Sequence, residues 1–170
     1  MPDRISAARG VTLVELLVVL GVIAIIAGFA APIFSGLLLD SRRTAAVFTA
    51  LHGINFARQL AAIRGEAIRL CGSHDAQQCS GVSDWSSGLL VADERDSLRR
   101  SLPLPGGAGA SAIRANRHNV TFEGGTGFAT PATLTICDRR GDPAARAIII
   151  SRSGRPRVSE RDAGDGPLTC

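Results

Sequence analysis

Gly154-Arg155-Pro156-Arg157 is the segment of this 170-residue chain best equipped for chemistry, and that chemistry is anion recognition. In an extended backbone alternate side chains share a face, so Arg155 and Arg157 project together. They then stand about 6.6–6.8 Å apart, which is comparable to the spacing of successive phosphates along one nucleic-acid strand. A planar guanidinium pairs with a phosphate through two parallel hydrogen bonds. Arg152 and Arg161 flank the pair. Gly154 permits the turn that exposes it, and Pro156, having no N–H to give a ladder, belongs on a sheet edge or in a tail. A solvated basic tail is the competing reading. No aromatic residue interleaves these arginines, so the contacts expected are with phosphate and carry no base information.

The charge distribution singles out the same place. All 19 basic side chains are arginines. Residues 138–161 hold seven of them against Asp138, Asp142 and Glu160, a net +4. The remainder of the chain after residue 10 sums to −1. A local excess of this kind points to an anionic partner.

Other reactive residues form no constellation. His52, His74 and His118 are scattered, and no nucleophile-elbow spacing surrounds any serine. Gly124-Gly-Thr-Gly127 matches neither glycine-rich phosphate template. Asp84-Trp85 offers a ligand platform, but a lone tryptophan in a chain without tyrosine is expected to fill a core edge. The chain reads as a non-enzyme with no cofactor and no metal. Cys71, Cys79, Cys137 and Cys170 contain no Cys-x-x-Cys; an even set beyond an apolar segment fits an oxidising compartment. Three pairings are open to four cysteines, and spacing does not choose among them. The expected pair is Cys71–Cys79, closing a short loop, with Cys137–Cys170 stapling the chain end.

The elements that position these residues begin with an apolar helix. Leu16 to Phe34 carries no charge, and Glu15 stands at its start. A plain anchor has no use for that carboxylate, which costs on the order of a few kcal/mol near the start of an apolar span; a cleaved secretory signal is the other bland reading. Beyond Pro32, Val47, Leu51, Ile54, Ala57 and Ala61 recur at helical spacing, with Phe56, Leu60 and Ile63 widening the stripe and His52, Asn55 and Gln59 opposite. Gly65 is the expected stop. Strands are expected at 66–71, 87–92, 120–123, 133–137 and 145–151, and a mobile excursion at 93–119. Helix followed by antiparallel strands is an α+β architecture.

Gly10 followed by Val11-Thr-Leu-Val-Glu15 resembles the class III signal of type IV pilins and pseudopilins. The resemblance implies a leader at 1–10, cleavage between Gly10 and Val11 by prepilin peptidase, and N-methylation of Val11. It further implies a filament role for Glu15, paired with a neighbour's terminal amine, and a helix kink at Pro32. Val11 departs from the family's usual phenylalanine or methionine. The order of Leu70-Cys71, Cys79, Asp84-Trp85-Ser86, Ile136-Cys137-Asp138 and Ser151-Arg152-Ser153-Gly154-Arg155-Pro156-Arg157 is similar to the GspH/FimT group. That similarity implies a type IV pilin fold, with a transmembrane and filament helix at 11–37 and a periplasmic head at 38–170. The protein would be a single-pass inner-membrane protein that assembles with other pilins or pseudopilins. FimT-like minor pilins carry Gly-Arg-x-Arg here and bind DNA through it in natural transformation. Gly154, Arg155 and Arg157 match, so the resemblance implies that they bind DNA here. With the flanking Arg152 added, the expected DNA-binding residues are Arg152, Arg155 and Arg157, and the expected partner is double-stranded DNA contacted through its phosphates. A GspH-like pseudopilin of type II secretion is the alternative.

Overall fold

The computed structural model describes residues 11–93, 99–104 and 111–170, with 30–33 and 99 described by their backbone alone. The leader with Gly10, and the kink expected from the side chain of Pro32, lie outside the described residues. Contacts divide the chain into two units, Met1–Leu38 and Leu39–Cys170, and one helix, α1 (Leu13–Arg64), contributes to both.

In the first unit Thr12 caps α1. Its Oγ1 accepts the Glu15 N–H at 3.2 Å and its carbonyl accepts the Leu16 N–H at 3.1 Å. Thr-x-x-Glu is the order of a capping box, and a carboxylate in the first turn suits the positive end of the helix dipole. Every residue from Val11 to Phe29 is exposed. Among the described residues no single helix is long and apolar enough to cross a membrane; Leu13–Phe29 and Phe34–Arg64 taken as a bent pair meet the length and composition required.

In the second unit α1 buries Ala46, Ala50, Ile54, Ala57 and Ala61 completely. These spacings of three and four form one stripe, as expected, but it centres on small residues, and Leu51 is only partly buried. Gly53 shows why size matters: a β-carbon there would come within 2.8 Å of Leu102 Cδ1. Ile63 does not widen the stripe and is 83% exposed. It follows Ala61 by two residues, about 200° round the helix, so it faces away from the core. The helix ends at Arg64, where Gly65 takes a positive φ of 69° and gives its N–H to Ala61 O.

Among the described residues eight strands follow: β1 (Ile68–Gly72), β2 (Leu89–Asp93), β3 (Arg99–Leu102), β4 (Ala112–Ala115), β5 (Asn119–Phe122), β6 (Ala132–Cys137), β7 (Arg146–Ile150) and β8 (Pro156–Ser159). They form two antiparallel four-stranded sheets, ordered β3-β2-β1-β5 and β4-β6-β7-β8. The region 93–119 was expected as an excursion, yet β3 pairs with β2 and β4 with β6. Arg99-Arg-Ser-Leu102 lacks apolar alternation because it is an edge strand. In β4 only Ile113 and Ala115 face inward among glycine-rich neighbours. The rest of that expectation, at 94–98 and 105–110, lies outside the described residues.

The main core joins the small stripe of α1 to Leu70, Phe122, Leu134, Ile148 and Trp85. Each large side chain fully withdrawn from water stabilises by about 1.5–3 kcal/mol. β7 is buried on both faces. Ile148 and Ile150 face the main core, while Ala147 and Ile149 meet a second cluster with Leu168 and Cys137. That second burial explains why Ala145 to Ile150 reads as an apolar run and not as an alternation.

Candidate nucleic-acid interface

The Gly-Arg-Pro-Arg segment is the return of a hairpin, not a tail. β7 and β8 pair from Ile150 with Pro156 to Ala147 with Ser159. Within the turn Gly154 N–H donates to Ser151 O at 2.9 Å, and Ser151 N–H and Oγ both donate to Arg155 O at 3.2 Å. Pro156 is the first residue of an edge strand, where its missing N–H costs the ladder nothing.

The hairpin rests on two other elements. Ala129 N–H, in the loop between β5 and β6, donates to Arg152 O at 2.8 Å. Gly154 has φ +71° and is buried; a β-carbon on it would collide with the carbonyl oxygen of Gly127 and lie 3.0 Å from Arg58 Cδ. Gly127, also at positive φ, packs its own backbone on the stem of Arg58. The Gly124–Gly127 run is therefore a mount. Gly125 N–H binds Ala61 O at 3.0 Å near the end of α1, and Gly127 supports the arginine turn. Arg58 is the residue that sequence reasoning missed. It sits beside the buried stripe of α1, and nothing in its spacing announces the glycines above it.

The seven arginines of 138–161 now separate into two groups. Arg140 pairs with Asp138 at 2.6 Å and Asp40 at 2.9 Å, and Arg146 with Glu160 at 2.9 Å. Arg161, expected to flank the site, turns to its own loop, donating to Asp165 O at 2.9 Å and lying 3.8 Å from the Asp165 carboxylate. Arg139, Arg152, Arg155 and Arg157 are exposed and have no ion-pair partner among the described residues. Three of those four lie on the β7–β8 hairpin. The structure thus concentrates uncompensated charge where the sequence showed only an excess.

The paired arginines do structural work. Arg140 donates hydrogen bonds to Asp138 and Asp40 and holds both carboxyls below the usual carboxylate range. Arg43 joins them, 2.8 Å from Asp40 and donating to Ala144 O at 2.6 Å, so it is tied to the turn before β7. Trp85 is fully buried, and its Nε1–H donates to Val82 O at 3.2 Å. The Asp84 carboxylate accepts the Ser86 hydroxyl and N–H, which lowers its pKa. Asp84-Trp85 is accordingly a core corner. Among the histidines, His74 shares a 2.8 Å hydrogen bond with Ser87 Oγ. Cys71 is bonded to Cys79 and Cys137 to Cys170. The second bridge returns the chain end to β6 beneath β7, where Cys170 and Leu168 cover the second cluster.

Comparison with known proteins agrees with this architecture. The family model described as type II transport protein GspH matches residues 49–154, and that of the prokaryotic N-terminal methylation motif matches residues 5–31. No curated protein matches the chain. Among solved structures, the type IV minor pilin FimU of Pseudomonas aeruginosa strain PAO1 is similar in two crystal forms. One has TM-score 0.53 at 20% identity over 82% of this chain and 99% of that one; the other has 0.52 at 19% over 75% and 98%. The minor pseudopilin EpsH from the type 2 secretion system of Vibrio cholerae aligns at TM-score 0.45 and 14% identity, over 68% of this chain and 93% of that one. The fold is the type IV pilin fold.

Proposed function

This chain belongs to the GspH family of minor pilins and pseudopilins, structural proteins and not enzymes, and from that premise we propose that it is a FimT-like minor pilin whose head captures DNA. The methylation motif and the family imply processing by prepilin peptidase and assembly with other pilins. Our reading assigns residues 1–10 to the leader, 11–37 to the membrane and filament helix, and 38–170 to a periplasmic head. Gly10 precedes the cleaved bond, Val11 becomes the methylated terminus, and Pro32 kinks the helix. The Glu15 carboxylate is exposed and has no side-chain partner among the described residues, which leaves it available to a neighbour's terminal amine.

One observation carries the DNA assignment: Arg152, Arg155 and Arg157 are exposed and uncompensated on a hairpin that is braced by Gly127 and Ala129. Guanidinium groups held in this way neutralise phosphates and read no sequence. Arg58, at the foot of the turn, adds a fourth positive charge to the same field. The test is duplex binding by the chain and by an Arg155→Gln/Arg157→Gln variant at matched salt. Equal affinity would remove DNA capture from the proposal.

The description of the matching family favours a second reading, a minor pseudopilin of type II secretion. Deleting the gene separates the two. Loss of transformation with intact protein secretion supports the first reading, and the converse supports the second.

A further inference from the structure

Among the described residues of the second unit, five large apolar side chains are at least 43% exposed: Phe48, Ile63, Val82, Phe128 and Val158. Single exposed apolar residues are ordinary and need no explanation. Phe128 differs in its setting. It lies between Gly127 and Ala129, both buried, and both touch the arginine hairpin. Its side chain is 49% exposed. Its backbone is tied at both ends. Phe128 O accepts the Glu123 N–H at 2.7 Å, and Phe128 N–H donates to Thr126 Oγ1 at 3.2 Å. Gly127 N–H returns to Glu123 O at 2.9 Å, and Ala129 N–H continues to Arg152. The half-exposed ring thus sits on a loop whose backbone is tied to the hairpin that carries Arg152, Arg155 and Arg157.

An aromatic face beside a cationic track is the pairing that grips single-stranded nucleic acid. The arginines follow the backbone, and an unpaired base stacks on the ring. A paired base has both faces covered by its neighbours in the duplex and gains nothing from an edge-mounted phenylalanine. We propose that Phe128 is a base-stacking residue, and that the Arg152–Arg157 hairpin with Phe128 forms a site for single-stranded DNA. This deepens the DNA-capture reading and rests on it. The ligand class is a strand with exposed bases, such as a frayed end or a single-stranded region of a longer molecule. Binding is tolerant of sequence, because every base has a π-face.

The experiment uses the full chain in detergent micelles with a fluorescent oligothymidine and a blunt duplex of equal length. Phe128→Ala should weaken oligothymidine binding about 5- to 150-fold and leave duplex affinity unchanged, the range expected for one lost stack. Phe128→Tyr should restore it. Phe128→Trp should be quenched by oligothymidine, against a background from Trp85, which is fully buried. Thermal melting of each variant checks that the fold is kept. Wild-type oligothymidine affinity in a folded Phe128→Ala protein overturns the proposal, as does an equal loss on both ligands. If instead Arg155→Gln/Arg157→Gln binds both ligands like wild type, the DNA reading itself fails. That outcome is distinct from the failure of Phe128 alone.

Discussion

The carbonyl oxygen of Gly127 occupies the space that a β-carbon on Gly154 would need. Two loops far apart in sequence therefore meet backbone to backbone, with the Arg58 stem beneath them. Gly154→Ala should be costly for two reasons. At φ +71° an alanine costs about 1–2 kcal/mol, and the collision forces the hairpin off its mount. We expect a total loss of roughly 2–3 kcal/mol, read by thermal or denaturant unfolding, with weakened DNA binding although no charge has changed. Wild-type stability in Gly154→Ala would show that the two loops do not brace each other.

Arg155 and Arg157 should behave in the opposite way. They are exposed and make no ion pair among the described residues, so replacing both by glutamine should change stability by less than about 0.5 kcal/mol. With Arg152, Arg155 and Arg157 each on one phosphate, log affinity for duplex DNA should fall against log salt with a slope of roughly −3. The double variant should reduce that slope by about two. Arg42→Gln/Arg43→Gln should leave it unchanged, since Arg43 is committed to Asp40 and Ala144.

Asp75 sets an acid limit on the disulfide loop. Its carboxylate accepts the N–H groups of Gln77 and Gln78 at 2.8 and 3.0 Å, which lowers its pKa to about 2. The folded value lies below the unfolded one, near 3.9. The contribution to stability is therefore complete above about pH 4 and disappears as pH falls toward 2. Asp138 and Asp40, lowered by Arg140, act in the same direction. Melting temperature against pH should drop below pH 4, and Asp75→Asn should flatten part of that drop. A drop of the same size in Asp75→Asn would remove Asp75 as its source.

Processing should end the leader at Gly10 and leave a methylated Val11, which the intact mass of membrane-extracted protein would report. A mature terminus near Ala31 would contradict the pilin-type reading of the whole segment. Glu15→Ala should still insert, since removing a charge only improves hydropathy. It should fail to assemble, because a neighbour's amine then lacks its counter-charge in an apolar setting. Filament incorporation at wild-type level by Glu15→Ala would rule out the pairing role. Thr12→Ala should cost the helix about 1 kcal/mol through its lost cap and so serves as the control for helix stability.

Local regularities were legible from the chain alone. Val47, Leu51, Ile54, Ala57 and Ala61 at spacings of three and four located the buried face of α1, although Ala46 and Ala50 lie at its centre and Leu51 at its margin. Gly65 marked its end, and the apolar runs marked β1, β2, β5, β6 and β7. These follow from short-range periodicity, which each segment carries by itself. The strands β3 and β4 did not show, because charged Arg99-Arg100 and the small Ala112 and Ala115 carry little strand preference of their own, and pairing with β2 and β6 decides these segments. The concentration of arginine was visible, but its division was not. Arg140 is neutralised by Asp40, one hundred residues away, and Arg161 by its own loop, while Arg152, Arg155 and Arg157 have no ion-pair partner among the described residues. Likewise no spacing links Gly127, Phe128 and Arg58 to Gly154. Only the closing of the loops over α1 brings them together, since the contacts that fix them are backbone collisions and hydrogen bonds between segments remote in sequence.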